Sequence, residues 1–155
     1  MAINYDELMQ AKSTGVAASY RDRETMLYAL GIGFMRDPMN ANELPFVYEN
    51  GLKTVPTMAT VIGWGAGSLL SRTEINYLMV VHGEQRITMH KPLPIAADVI
   101  LDERVLGAFD KGKDKGAVIV TERVMKEKTS GDKLCTLVNT TFARGDGGFG
   151  GPKEG

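Results

Sequence analysis

The sequence predicts an α+β domain in which an antiparallel sheet is wrapped around a short helix. After residue 78, four strand-like runs follow one another without a convincing helix between them. The chain before residue 78 supplies two helical segments and a short strand that such a sheet could wrap. Strands that follow one another through short turns are expected to pair as an antiparallel meander.

The N-terminal third is predicted to hold a short helix, an extended segment and a longer helix. Residues 1–12 indicate the short helix, and residues 14–20 indicate an edge strand or an extended lead-in. Apolar residues at helical spacing then predict the longer helix. Its N-cap is expected at Ser19 or Asp22, its end at Gly31 and Gly33, and its apolar residues are Met26, Leu27, Leu30 and Phe34.

The central helix is predicted to be short or broken. A polar loop over residues 34–45 and a short strand over residues 46–48 precede it. Pro56 suits the first helical turn, which favours a helix over residues 58–70. Three glycines fall inside that segment, and each costs about 1 kcal/mol relative to alanine. They are Gly63, Gly65 and Gly67, and Trp64 is expected near the end of the helix.

The sheet is predicted to come last. Apolar residues alternate along its runs, except that Glu103 falls on the apolar face of the second run, and Gly83 is expected to bend the first. A sheet with one helix on its concave face is the α+β architecture called hot-dog. The predicted strands span residues 78–89, 99–109, 117–126 and 134–143.

Composition excludes several function classes. The chain has 155 residues and a net charge of -1, with no basic stripe, which argues against nucleic-acid binding. No apolar run is long enough for a membrane span, and the N-terminus does not resemble a signal peptide. The single cysteine, Cys135, suits a reducing compartment and is expected to be buried and inert. Bacterial cytoplasm is the simplest expectation.

The end of the chain is predicted to be irregular. Five of the eight residues from 144 to 151 are glycine, which is typical of a linker or of a loop that follows another surface. We therefore expect one hot-dog domain over residues 1–143 and a glycine-rich tail or linker over residues 144–155.

Seven ordered motifs carry a family resemblance that spans about residues 19–151. They are LYALGIG (27–33), FVYENG (46–51), VPT (55–57), HGEQ (82–85), KPLP (91–94), DKG (110–112) and RGDGGFGG (144–151). Together they resemble the N-terminal half of the R-specific 2-enoyl-CoA hydratases of the MaoC-like group. That group includes the hydratase region of the peroxisomal multifunctional β-oxidation enzyme. An ordered set of motifs is more specific than any one of them.

The resemblance implies one half of a two-part molecule. In that family, each half is a hot-dog domain, and an Asp…Asn-Pro…His motif in the C-terminal half activates water. The product of water addition to a trans-2-enoyl-CoA is a (3R)-3-hydroxyacyl-CoA. The N-terminal half shapes the acyl tunnel, contacts CoA and has a shortened helix.

This sequence has no Asp…Asn-Pro…His cluster, so no catalytic residue is predicted in it. It is expected to act with a second hot-dog domain, supplied by a catalytic subunit or by a copy of itself. The resemblance implies no metal or redox cofactor, since the CoA thioester is the substrate. A eukaryotic source would change the expected location to the peroxisome.

Three residues are candidates for substrate binding. His82 and Gly83 match family positions that lie against the thioester, and a glycine corner exposes backbone N–H groups that bind a carbonyl oxygen. Lys111 matches a family lysine near the CoA phosphates. The alternative interpretations are structural: a bend in a strand for His82 and Gly83, and a solvated turn for Lys111.

Two other functions remain open. A stand-alone hot-dog thioesterase would need a carboxylate facing the thioester; the candidates are Asp6, Glu24, Glu43 and Glu49, none with a His or Gln partner at telling spacing. A non-enzymatic acyl-CoA binding or scaffold protein would bind CoA esters without turnover. Three apolar residues could line an acyl tunnel or belong to the core, and they are Met58, Trp64 and Met79.

Overall fold

The computed structural model describes residues 3–154 and has the α+β architecture predicted from the sequence. Five antiparallel strands form one sheet, and a short helix packs on one of its faces. The helices are α1 (Tyr5–Gln10), α2 (Asp22–Gly31) and α3 (Met58–Gly65). The strands are β1 (Lys12–Tyr20), β2 (Val80–Met89), β3 (Ala97–Asp110), β4 (Ala117–Glu127) and β5 (Lys133–Ala143).

The strand order is β1-β3-β4-β5-β2, so the prediction of a simple meander holds only for β3, β4 and β5. The first long strand, β2, pairs with β5 at the far edge of the sheet rather than with β3, which follows it in the chain. The edge of β3 that β2 would need is occupied by β1. The connection over residues 90–96 therefore crosses from one edge of the sheet towards the other.

Two local predictions are wrong. The N-cap of α2 is Arg21, because its backbone is extended and its N–H donates to the Glu24 carboxylate at 2.9 Å. Residues 46–48 do not form a strand, since the chain is turned there by a 3₁₀ helix over Leu44–Phe46. Short-range backbone bonds from Phe46 to Glu43 and from Val47 to Leu44 stabilise that turn.

The short central helix is confirmed. It has eight residues and buries Met58, Ala59 and Ile62 against the sheet. A Cβ added at Gly63 would lie 2.7 Å from Cδ1 of Leu137 on β5. Glycine at this position therefore allows the close approach of α3 to the sheet, at the expense of helix propensity.

The glycine-rich tail packs on the same domain. The Asp110 carboxylate accepts backbone N–H groups from Gly112, Gly148 and Gly150 at 2.7–2.8 Å. The Phe149 ring stacks on Tyr5, with 6.1 Å between ring centroids. Residues 144–154 thus lie along the end of the sheet at which β3 passes into β4.

The single cysteine is buried, as the sequence predicts. Cys135 is fully buried on β5, and this burial raises the pKa of its thiol to about 11, so the thiol is protonated at neutral pH. Over residues 3–154, no helix is long and apolar enough to cross a membrane.

Candidate functional site

A cavity of about 350 Å³ lies between the C-terminal end of α3 and the concave face of the sheet. We refer to it as the central pocket. Trp64 and Tyr77 stand at its mouth, and each side chain is about half exposed. Its floor is formed by inward-facing side chains of β3, β4 and β5, which are Glu103, Thr121, Arg123, Leu137, Asn139 and Thr141.

A β-bulge in β2 shapes one wall of the central pocket. The pairing of β2 with β5 shifts register between His82 and Glu84, so Gly83 is the extra residue, and the bend predicted there is present. In a regular strand, His82 and Gln85 would point to opposite faces, because they are three residues apart. The bulge brings both side chains to the pocket, where the His82 ring contacts Trp64 edge-to-face at 5.3 Å.

The pocket floor contains a buried ion pair. The Arg123 guanidinium donates to the Glu103 carboxylate at 2.5 Å, and both side chains are only 9% exposed. Arg123 also donates to the backbone carbonyl groups of Gly63, in the last turn of α3, and of Gly67, just after the helix. Arg123 thus caps the shortened helix, and Glu103 balances its charge.

The second carboxylate contact links the ion pair to the chain after α3. The backbone N–H of Leu69 donates to Oε2 of Glu103 at 3.0 Å. Arg123 and Leu69 therefore both donate to the same oxygen of Glu103, Oε2. This arrangement fixes the positions of both charged side chains and leaves them bound to protein groups.

An amide group beside the ion pair has an unpaired atom. Nδ2 of Asn139 donates to Thr141 at 3.3 Å, whereas Oδ1 of Asn139 is buried and has no hydrogen-bond partner among residues 3–154. Asn139 and Thr141 both line the central pocket. Buried polar atoms in folded proteins almost always have a partner, so this shielded oxygen is an exception.

The structure separates the three predicted substrate-binding residues. His82 lines the central pocket, and Gly83 lies in the adjacent bulge, where an added Cβ would be 3.1 Å from the Thr140 carbonyl oxygen. Lys111 lies elsewhere, after the end of β3. Its ammonium group donates to the Lys153 carbonyl at 2.5 Å and is 5.9 Å from the Phe109 ring centroid. Substrate contact by His82, Gly83 and Lys111 stays a prediction.

The polar floor was not predicted from the sequence. Glu103 was recognisable as an exception on an apolar face, whereas Arg123 and Asn139 were not predicted to lie in a pocket. The signal was available in β4 and β5, where Arg123 and Asn139 occupy inward positions of otherwise alternating strands. Charged or amide side chains at such positions require partners.

The carboxylates proposed for a thioesterase are placed outside the central pocket. Glu24 accepts hydrogen bonds from the side chain of Arg23 and from the backbone of Arg21, and these bonds lower the pKa of its carboxyl group. Glu43 accepts the N–H of Met35 at 2.5 Å. Asp6 and Glu49 are exposed. These residues therefore have structural or solvated positions.

Comparison with known proteins identifies the family. Residues 18–145 match the family described as the MFE-2 hydratase 2 N-terminal domain. The chain is 35% identical to the peroxisomal enoyl-CoA hydratase 2 of Arabidopsis thaliana, over 94% of this chain and 49% of that protein. It is 31% identical to 3-hydroxyacyl-thioester dehydratase Y of Mycobacterium tuberculosis, over 86% of this chain and 46% of that protein.

Solved structures agree on the fold. A MaoC-like dehydratase from Phytophthora capsici superposes with a TM-score of 0.76 at 23% identity, over 99% of this chain and 53% of that one. The full-length peroxisomal multifunctional enzyme type 2 of Drosophila melanogaster gives 0.67 at 29% identity, over 90% of this chain and 24% of that one. The chain spans about half the length of the first two relatives. It has the predicted hot-dog fold and belongs to the MFE-2 hydratase 2 N-terminal domain family.

Proposed function

We propose that this chain is the substrate-binding, non-catalytic half of an R-specific enoyl-CoA hydratase. With a second hot-dog half, it would add water to a trans-2-enoyl-CoA and give a (3R)-3-hydroxyacyl-CoA. The observation that carries the proposal is the central pocket, opened at the end of a short α3, in a domain of the hydratase 2 N-terminal family. The proposed location is the cytoplasm of a bacterium or the peroxisome of a eukaryote.

The chemistry of the pocket supports a binding role. Water addition to an enoyl thioester needs a base or acid that is free to exchange protons with water. The charged groups of the floor, Glu103 and Arg123, are bound to each other and to backbone groups. Both groups are therefore held in structural contacts. Because this sequence also has no Asp…Asn-Pro…His cluster, catalysis is assigned to the other half. No metal or redox cofactor is part of the proposal.

The exposed edge of the sheet supports a second hot-dog partner. Within residues 3–154, β2 pairs only with β5, so its other edge presents unpaired backbone groups. Large apolar side chains surround that edge: Leu78 is 94% exposed, Trp64 54% and Val81 44%. The opposite edge strand, β1, is interrupted by a bulge near Gly15, which makes it less suitable for pairing with a strand of another chain. We therefore propose that the partner covers the β2 edge.

The test of the proposed function is a hydration assay with and without a catalytic half. The chain alone is expected to leave a trans-2-enoyl-CoA unchanged. Addition of a hot-dog chain bearing the Asp…Asn-Pro…His motif is expected to give a stable pair and loss of the ultraviolet absorbance of the conjugated thioester. The catalytic chain alone is the control. Robust hydration by the lone chain, or release of free CoA thiol, would overturn the proposal and favour a complete hydratase or a thioesterase respectively.

Replacement of Lys111 by glutamine is expected to weaken binding of an acyl-CoA about two- to fivefold at low ionic strength. We propose that its ammonium group leaves the Lys153 carbonyl for a CoA phosphate, with Lys113 and Lys115 adding positive charge on the same turn. Calorimetric titration with an acyl-CoA measures the effect.

The control for Lys111 is the equivalent change at Lys128, an exposed lysine in the turn between β4 and β5. It removes the same charge at the other end of the sheet, so affinity is expected to be unchanged. Titration with the acyl-N-acetylcysteamine thioester, which lacks the nucleotide phosphates, should show no effect of either variant. An equal loss of acyl-CoA affinity in both variants would contradict a specific phosphate contact.

A further inference from the structure

We infer that the Glu103–Arg123 ion pair is the end wall of an acyl-chain tunnel and sets the longest straight chain that the central pocket takes. The inference rests on the proposed function, which places the acyl chain of a CoA thioester in this pocket. It adds a specificity-determining pair of residues and a substrate class, the thioesters of medium-length chains of about eight to twelve carbons.

The ion pair lies between two cavities. On one side is the central pocket, which extends over β2, β5 and β4. On the other side is a much smaller cavity of about 10 Å³, which lies against Val16 of β1 and Leu101 of β3. The residues that line both cavities are Gly67, Ser68, Glu103 and Arg123. The pair therefore separates the central pocket from the β1 side of the domain.

Arg123 closes the central pocket from the sheet to the helix. Its backbone belongs to β4, and its guanidinium donates to the carbonyl groups of Gly63 and Gly67 at the end of α3. Glu103 lies directly opposite Arg123 on β3. The two side chains therefore fill the gap between the sheet and the helix where β3 and β4 meet.

Displacement of this wall by a chain end is costly. Glu103 accepts from Arg123 and from the backbone N–H of Leu69, and Arg123 has two further carbonyl partners. Moving either side chain would leave a buried charge without its partner. A methyl group that reaches the pair meets polar atoms, so further methylene groups would bury no more apolar surface. Longer chains would have to fold back or stay outside.

The position of the wall gives the chain length. Neighbouring strands are about 4.8 Å apart, so the path from β2 across β5 to β4 spans about 10 Å. A carbon chain advances about 1.25 Å per bond, so about eight carbons cover this path. The volume of the central pocket, about 350 Å³, holds about twelve methylene groups if each has about the 30 Å³ of a water molecule.

The test is a titration of the purified protein, together with its catalytic partner if the two co-purify, with straight-chain acyl-CoA thioesters of increasing length. Affinity is expected to rise about three- to fourfold per methylene group up to the wall and to stop rising beyond it. A continuous rise well past about twelve carbons would overturn the inference and leave the proposed function standing. Failure of every thioester to bind, or the same affinity at every length, would overturn the proposed function, and the inference with it.

Removal of the wall is expected to lengthen the accepted chain. In Glu103→Ala/Arg123→Ala the break in affinity should move by about two to four carbons, because up to one further strand spacing opens. The matched control is Arg104→Ala/Glu122→Ala, which removes the same two residue types from the same two strands on the outer face. This control is expected to keep the wild-type break. A break that moves in both variants, or in neither, would overturn the inference.

A measurement on the unmodified protein covers the case in which the alanine pair does not fold. With an acyl-CoA whose terminal methyl group is isotopically labelled, nuclear Overhauser contacts from that methyl group to the Arg123 side chain are expected at the break length. Chains several carbons shorter should lack these contacts. Contacts at the break length to the mouth residues Trp64 and Tyr77 alone would overturn the inference.

Discussion

Replacement of Arg123 by methionine is expected to destabilise the domain by about 3–5 kcal/mol. The variant would leave the Glu103 carboxylate buried without its cation, and the Gly63 and Gly67 carbonyl groups would lose their donor. Urea unfolding, followed by far-ultraviolet circular dichroism, measures the loss. A cost below about 1 kcal/mol would show that the pair is more hydrated than its burial indicates.

Two further variants identify the cause of that loss. Arg104→Met is the matched control, because Arg104 pairs with Glu122 on the exposed face and its side chain is 65% exposed. Its cost is expected to be within about 1 kcal/mol. The double variant Arg123→Met/Glu103→Leu removes both charges, so it is expected to recover at least half of the single-variant loss. Equal losses in the single and double variants would assign the effect to the helix cap alone.

The ion pair shows how far the sequence could predict the site. Glu103 was recognisable as a charged residue on an apolar face, which already required a partner. Glu103 and Arg123 are directly opposite each other on β3 and β4. That pairing depends on the turn over residues 111–116 and on the bulge near Leu106, which shifts the register between Val105 and Gly107. Alternation alone determines which face a side chain occupies and leaves the register open.

The order of the strands also could not be predicted from local sequence patterns. Apolar alternation and short turns predicted β3, β4 and β5 and their antiparallel pairing, because each turn brings adjacent segments together. The position of β2 depends on competition for the edge of β3, which β1 occupies through pairs such as Tyr20 with Ala97. That competition is between segments that are far apart in the sequence, so local patterns do not reveal it. The glycines of α3, in contrast, carry a local energetic cost, and the short helix could be predicted from them.

Replacement of Asp110 by asparagine is expected to release the glycine-rich tail from the domain. The Asp110 carboxylate accepts three backbone N–H groups, and those of Gly148 and Gly150 belong to the tail. Hydrogen bonds to a charged group contribute about 1.5–3 kcal/mol, so amide exchange protection at residues 146–151 is expected to fall about 10- to 100-fold. Asp114→Asn, an exposed change in the same turn, is the control and should leave protection unchanged.

Acid should reproduce the effect of Asp110→Asn in the wild-type protein. The N–H group of Gly148, followed by those of Gly112 and Gly150, holds the pKa of the Asp110 carboxyl group below its usual value, which is about 3.9 in an unfolded chain. The ionised group therefore contributes its full stability above about pH 4, and this contribution is lost as the pH falls through the lower, folded-state value. Tail protection in the wild type should decline only below about pH 4, whereas the variant should lack it at neutral pH.

Full protection of the tail in Asp110→Asn at pH 7 would show that the neutral contacts, such as the stacking of Phe149 on Tyr5, hold it instead. A released tail would also withdraw the Lys153 carbonyl from Lys111, so the same variant is expected to leave that ammonium group free for the CoA phosphate.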